Sequence, residues 1–200
     1  KGEFPDVELS LLEEYSYSLM RRVLDGELDF AMVPSTELPA GLTGKFIGRD
    51  REMLVSSTTQ NNDTAHLQPV SLSALSGARL IVPSRLNVRR TQFDMLLNNH
   101  GIKVAETLEM DGMLATLEMV AVTDWVAILP SAICYPDQDG SIRSLNPIID
   151  PPISLDYVLV EKAEAAQPRA AKLLAKCLTH HISNILADWD DTFNIENPEP

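Results

Sequence analysis

The stretch of this sequence best suited to holding a charged ligand is Pro83-Ser84-Arg85-Leu86-Asn87-Val88-Arg89-Arg90. It joins the apolar run Arg79-Leu80-Ile81-Val82 to a helix-like stretch from Asn87 to Asn99, so free backbone N–H groups gather there. Those groups and the positive end of the helix dipole favour an anion. Arg85, Arg89 and Arg90 are badly placed for the helix itself, because cations stabilise C-terminal turns instead. Three guanidinium groups imply a negative charge to be met. It is either a ligand's carboxylate or phosphate, or carboxylates on the protein's own surface. Ser84 and Asn87 add hydroxyl and amide hydrogen bonds, and Leu86 and Val88 complete the loop. Ser84, Arg85, Leu86, Asn87, Val88 and Arg89 are therefore the leading candidate ligand-binding residues.

A second group follows the strand-like run Val104–Met110. Asp111 and Met113 are candidate ligand contacts there, although Asp111 reads first as a helix N-cap. Ser16 likewise has the type and position of an N-cap. In Thr123-Asp124-Trp125, the tryptophan precedes an apolar run and reads as packing. The remaining reactive side chains do not assemble. His180 and His181 are neighbours on a helix and face different ways, which excludes a shared metal. Cys134 and Cys177 stand alone and read as reduced thiols. No GxSxG, P-loop, HExxH or Cys/His nucleophile pair is present, so no catalytic residue, metal ligand or cofactor is predicted.

The elements that must position these residues alternate in type. Val7, Leu9 and Leu11 alternate with polar residues and predict a half-buried strand. A helix through Leu19, Met20, Val23 and Leu24 stops at Gly26, and Phe30-Ala31-Met32-Val33 predicts a buried strand. Strand, helix, strand in about 30 residues is a βαβ unit and implies parallel pairing. Lys45 to Ser57 is strand-like, and Thr58 to Pro69 is polar and aperiodic. A second series follows: a short helix at Ser71–Leu75, a strand at Arg79–Val82, a helix at Asn87–Asn99, and a strand at Val104–Met110. A helix through Leu114 to Ala121, a strand at Val126–Leu129 and a short strand at Ile142–Leu145 complete that series. Pro147 to Pro152 reads as a proline-punctuated linker, before a strand at Ile153–Val160 and a long amphipathic helix at Gln167–Trp189.

The junctions near Ser57 and Asp150 divide the chain. Residues 1–57 and 151–200 are expected to form one α/β subdomain and residues 58–150 a second, with the chain leaving the first and returning. Such an arrangement places a ligand cleft between the two, where strand C-termini and helix N-termini converge.

The 200 residues carry 29 Asp and Glu against 16 Lys and Arg, a formal net charge of -13. That charge repels phosphate backbones and anionic membrane surfaces, so this chain is not expected to hold DNA or a membrane itself. No apolar run reaches the roughly 20 residues of a spanning helix, and a soluble protein is expected.

Specific residues point to a family. Phe4-Pro5-Asp6-Val7-Glu8-Leu9 with Leu24-Asp25-Gly26-Glu27-Leu28-Asp29-Phe30, then Val70-Ser71-Leu72-Ser73-Ala74-Leu75 with Leu80-Ile81-Val82-Pro83, and Ile128-Leu129-Pro130-Ser131 resemble the effector-binding domain of LysR-type transcriptional regulators in order and spacing. The resemblance implies an α/β fold of two Rossmann-like subdomains of periplasmic-binding-protein type 2, joined by two crossover segments. It implies a small-molecule effector, here a carboxylate or other anion, sensed in the cleft, with Ser16 at a position that contacts effector in the family. It also implies a cytoplasmic homodimer that becomes a tetramer in the full-length regulator. DNA would be contacted only through a winged helix-turn-helix that this sequence lacks, and the family's first strand and most of its first helix are also expected to be missing. Thr123-Asp124-Trp125 departs from the family's usual Gly-Leu-Gly. The alternative is a solute-binding protein for transport on the same fold, and an enzyme on that fold is a third reading, opposed by the lack of paired acid and base groups.

Overall fold

The computed structural model describes residues 6–59 and 64–193. Phe4 and Pro5, four positions of the polar stretch (60–63) and the tail from 194 lie outside the described residues. In chain order the elements are α1 (Ser16–Asp25), β1 (Phe30–Pro34), β2 (Leu42–Ser57), β3 (Val70–Ser71), β4 (Arg79–Val82), α2 (Val88–Asn99), β5 (Glu106–Glu109) and α3 (Met113–Val122). There follow β6 (Trp125–Pro130), α4 (Ser131–Cys134), β7 (Arg143–Asp150), β8 (Ser154–Lys162) and α5 (Arg169–Thr192). They form two compact units, Lys1–Gly48 with Asp156–Asn184, and Arg49–Leu155 with Ile185–Pro200. The divisions fall inside β2, β8 and α5.

In the first unit, β1 pairs antiparallel with β8, which neighbours β2. Met20 and Val23 of α1 pack on Ala31 and Val33 of β1, Leu42 and Val160. Helix α1 ends because Gly26 takes a left-handed φ of 78°, returning its N–H to Arg22 and Val23. Gly44 is fixed by space: a Cβ there would lie 2.7 Å from both Leu38 and Val158.

Three expectations fail in this unit. Residues 7–11 form no strand among the described residues, and Leu9 and Leu11 are exposed. Alternation makes a strand only where a neighbour supplies ladder hydrogen bonds. Without that strand there is no parallel βαβ pair, and β1 takes an antiparallel partner instead. Ser16 is not an N-cap: the cap position belongs to Tyr15, with no side-chain capping bond, and Ser16 is already helical.

The second unit holds a sheet in the order β3-β7-β2-β6-β4-β5. Strand β4 is parallel to β5 on one side and to β6 on the other, while β2 is antiparallel to β6 and β7. Alternate residues divide its apolar load. Met53, Val55, Ile81, Ala127, Leu129 and Leu145 face Leu117 and Val120 of α3 and Trp189 of α5. Leu80, Val82, Ile128 and Ile148 face Leu72 and Leu75 of a 3₁₀ turn and Phe93 and Leu97 of α2. The expected linker at Pro147–Pro152 is in part strand, since β7 continues to Asp150. Pro147 sits opposite Met53 of β2 and needs no second full-length neighbour, because β3 is two residues long.

Candidate ligand-binding site

The path of the chain through β4, β5 and β6 determines where a ligand can sit in the second unit. From β4 it crosses through α2 to β5 on one side, then returns through α3 to β6 on the other side of β4. Strand order therefore reverses at β4, and α2 and α3 cover opposite faces of the sheet. Such a reversal leaves a crevice beyond the carboxyl ends of the strands, with two helix N-termini beside it.

The residues at that end are knit together by backbone. Met110 N–H donates to Val82 C=O at 2.9 Å, holding the ends of β5 and β4 together. Ser84 N–H donates to Asp111 Oδ1 at 3.0 Å, which ties the loop after β4 to the loop after β5. Ser84 Oγ accepts from Leu86 N–H at 3.3 Å, and Ser84 C=O accepts from Asn87 N–H at 3.0 Å. Asn87 caps α2, its side chain accepting from Arg89 N–H at 3.1 Å. Asp111 does not cap α3: that position belongs to Gly112, with no side-chain bond, and the Asp111 carboxylate is used by Ser84.

The three arginines have different environments. Arg89 is 3% exposed, and its Nη2 donates to both Glu52 oxygens at 2.6 and 2.7 Å. Its guanidinium also lies 5.0 Å from the Phe93 ring centre, and its Nε is buried without an acceptor. Arg90 pairs with Asp94 and Glu109 and donates to Pro83 C=O at 2.8 Å. Arg85 is exposed and makes no hydrogen bond or ion pair among the described residues.

Behind this loop lies a cavity of about 20 Å³ lined by residues that include Pro83, Asn87, Arg89, Asp111 and Met113. It is large enough for about one water molecule. At this end of the sheet a metabolite would therefore meet the outer surface of the loop, formed by Ser84, Arg85, Leu86, Asn87 and Val88. Ser16 belongs to the other unit, at the first position of α1.

Glu52 was not legible as a site neighbour. It lies on β2, two residues from a second buried carboxylate, Asp50. Burial pushes the Glu52 carboxyl above the usual carboxylate range and nearby Asp50 adds to this, while Arg89 opposes both. Asp50 accepts from Ser131 N–H at 3.1 Å, Ser131 Oγ at 2.5 Å and Ala132 N–H at 3.1 Å, at the start of α4. The signal was two acids at period two in a strand otherwise destined for burial.

No group of His, Cys, Asp and Glu among the described residues could hold a metal ion. Among them also, no helix is long and apolar enough to cross a membrane.

Residues 1–183 match the family model described as the LysR substrate binding domain. Solved structures share the fold at low identity. The regulatory domain of CcmR from Synechocystis PCC6803, in complex with 2-PG, aligns with a TM-score of 0.73 and 16% identity, covering 92% of this chain and 87% of that one. A Corynebacterium glutamicum OxyR C206 mutant aligns with a TM-score of 0.72 and 16% identity, covering 98% of this chain and 61% of the other. The effector-binding domain of QuiR in complex with shikimate aligns with a TM-score of 0.68 and 14% identity, over 91% and 85% of the two chains.

Proposed function

This chain belongs to the LysR substrate-binding domain family, the effector-sensing part of transcriptional regulators, and from that premise we propose that its effector is a small anion received at the carboxyl ends of β4 and β5. The observation that carries this reading is the contrast among the arginines. Arg89 and Arg90 are neutralised by the protein's own carboxylates, whereas Arg85 projects beside the start of α2 with no partner among the described residues. A guanidinium at the positive end of a helix dipole suits a carboxylate or phosphate. Ser84 and Asn87 hold the loop's shape, Leu86 and Val88 offer apolar contact, and Asp111 and Met113 support it from the neighbouring loop. Arg89 fixes the first turn of α2 against β2.

Two proteins with this fold, CcmR and QuiR, are seen with 2-PG and shikimate, which supports a small polar effector as the class. Residues 1–57 with 151–200 are assigned as regulatory subdomain I and residues 58–150 as regulatory subdomain II. Within the full-length regulator we assign assembly as a homodimer and tetramer in the cytoplasm, and DNA contact through a winged helix-turn-helix outside this sequence. The reading is of binding, not turnover, because the polar groups at the site hold backbone in place and leave no acid-base pair. An effector switches such a module only by binding one of its conformations better than another.

Isothermal titration of the parent and of Arg85→Ala with 2-PG, shikimate and benzoate tests the assignment. At least one acid should bind the parent and lose about tenfold or more in affinity on losing Arg85, with the melting temperature unchanged. If the variant binds that acid as the parent does, the anion is received elsewhere.

A further inference from the structure

A cavity in the second unit lies away from the loop proposed to receive the effector. It has a volume of about 340 Å³, against about 20 Å³ behind the Ser84 loop. Strands β7, β2, β6 and β4 floor it with Asn146, Leu54, Ser56 and Val126, and Ala74, Gly77 and Ala78 form a wall. These positions share the sheet face that α2 covers. However, Phe93 and Leu97 of α2 lie over Leu80, Val82 and Ile128, nearer the carboxyl ends of β4 and β6. At the opposite end, where β4 and β6 begin, the face is bordered by the 3₁₀ turn at Leu72–Leu75 and by Thr64. A Cβ built on Gly77 would meet no atom within 4 Å, so the space extends to the backbone there. The size is that of a small-molecule pocket.

Charge at this pocket selects against the ligand class proposed for the other end. Among the described residues of its lining the one cation, Arg79, gives Nη1 to Asp124 at 2.6 Å and Nη2 to Glu106 at 3.3 Å. Its guanidinium carbon lies 4.4 Å from the Trp125 ring centre. Two carboxylates thus face one guanidinium, leaving no positive charge for an acid. Asn146 spends its amino group on the carbonyls of Ala65 and Gln68, at 2.7 and 2.9 Å. What the pocket offers is apolar surface from Leu54, Val70 and Val126, with the Thr64 hydroxyl also in its lining.

We propose that this pocket at the start of β4 and β6 is a second ligand site, which takes a small uncharged molecule with an apolar body and one hydrogen-bonding end. Phenols, lactones and primary amides belong to that class. The site is independent of the anion site and would stand if that assignment failed.

Benzamide and benzoate, which share a shape and differ in charge, are suitable probes. The full chain carrying ¹³C-labelled alanine methyls is titrated with each. Ala74 and Ala78 line this pocket, whereas Ala127 lines the small cavity behind the Ser84 loop. Benzamide should shift the Ala74 and Ala78 methyls saturably and leave Ala127 unmoved, with benzoate weaker by about tenfold or more. Ala74→Leu fills the pocket from an exposed turn position, so the fold should survive and benzamide binding should fall by a similar factor. Three results overturn the proposal: Ala74 and Ala78 unmoved at saturating benzamide, shifts confined to Ala127, or equal binding by Ala74→Leu and the parent. Benzoate binding as tightly as benzamide at Ala74 and Ala78 overturns the charge selection on which it rests.

Discussion

Arg89 reaches both oxygens of Glu52 through a single nitrogen, Nη2, and the two side chains are 4% and 3% exposed. This contact pins the first turn of α2 to β2, and so fixes the direction in which the N–H groups of that turn point. A buried pair of this kind gains less from its attraction than it would lose by being broken.

Removing one partner should therefore be costly. Arg89→Ala leaves Glu52 buried and unpaired, with an expected loss of about 3–5 kcal/mol in urea-melt stability. The double variant Glu52→Leu, Arg89→Met should recover most of that loss, because both charges leave together. A single variant within about 1 kcal/mol of the parent would show that the contact does not form in solution.

The same carboxyl predicts a pH dependence. Glu52 is pushed up chiefly by burial, so between the ordinary and the raised value the folded state holds a proton that the unfolded state has released. Folding then binds extra protons, and this contribution to stability is full below the ordinary carboxylate range and is lost as pH rises through the raised value. Urea midpoints for the parent and Glu52→Gln between about pH 4 and pH 7 test it. The parent should lose stability more steeply with rising pH than the variant, and parallel profiles would remove Glu52 as the cause.

Asp111 and Ser84 make a local prediction. Asp111→Ala deprives the Ser84 N–H of its acceptor and should cost about 1 kcal/mol. The sharper readout is hydrogen exchange at the Ser84 amide, which should speed up while amides in β4 keep their protection. Unchanged exchange at Ser84 would mean that the two loops are held by something else.

Arg143 offers a contrast of burial. It donates to Asp137 at 2.7 and 2.8 Å, to Glu118 at 2.7 Å and to the Leu117 carbonyl at 2.7 Å. The Asp137 side chain is 6% exposed and that of Glu118 is 79% exposed. Asp137→Ala should cost about 3–5 kcal/mol and Glu118→Ala less than about 1 kcal/mol, measured by chemical denaturation. Equal effects would show that exposure does not separate the two contacts.

Much of the fold was legible because local signals agree with it. Gly26 ends α1, Pro83 follows β4, and the apolar run at Val126–Leu129 lies within β6. What was not legible was pairing. Glu52 and Arg89 are 37 positions apart, and neither residue announces the other. Asp111 has the composition of a cap, yet its carboxylate turns to Ser84 across 27 positions. Val7 to Leu11 alternates as a strand does, but pairing depends on a neighbour that alternation cannot reveal. Pro147 looked like punctuation and instead extends β7, because a proline is tolerated where few ladder bonds are asked of it.

The placement of the indole rings has a practical consequence. The chain has two tryptophans, and both fall in the second unit. Trp189 is fully buried, donates to the Ser131 carbonyl at 2.9 Å and stacks on Phe193, while Trp125 is half-buried under Arg79. Intrinsic tryptophan emission is therefore a spectator of Arg49–Leu155 and the end of α5, and is silent about events around α1, β1 and β8. A melt followed by that emission and one followed by far-ultraviolet ellipticity interrogate different parts of the molecule. Separate midpoints in the two would follow from where the chromophores sit, and a tryptophan introduced in the first unit would be the way to watch both units at once.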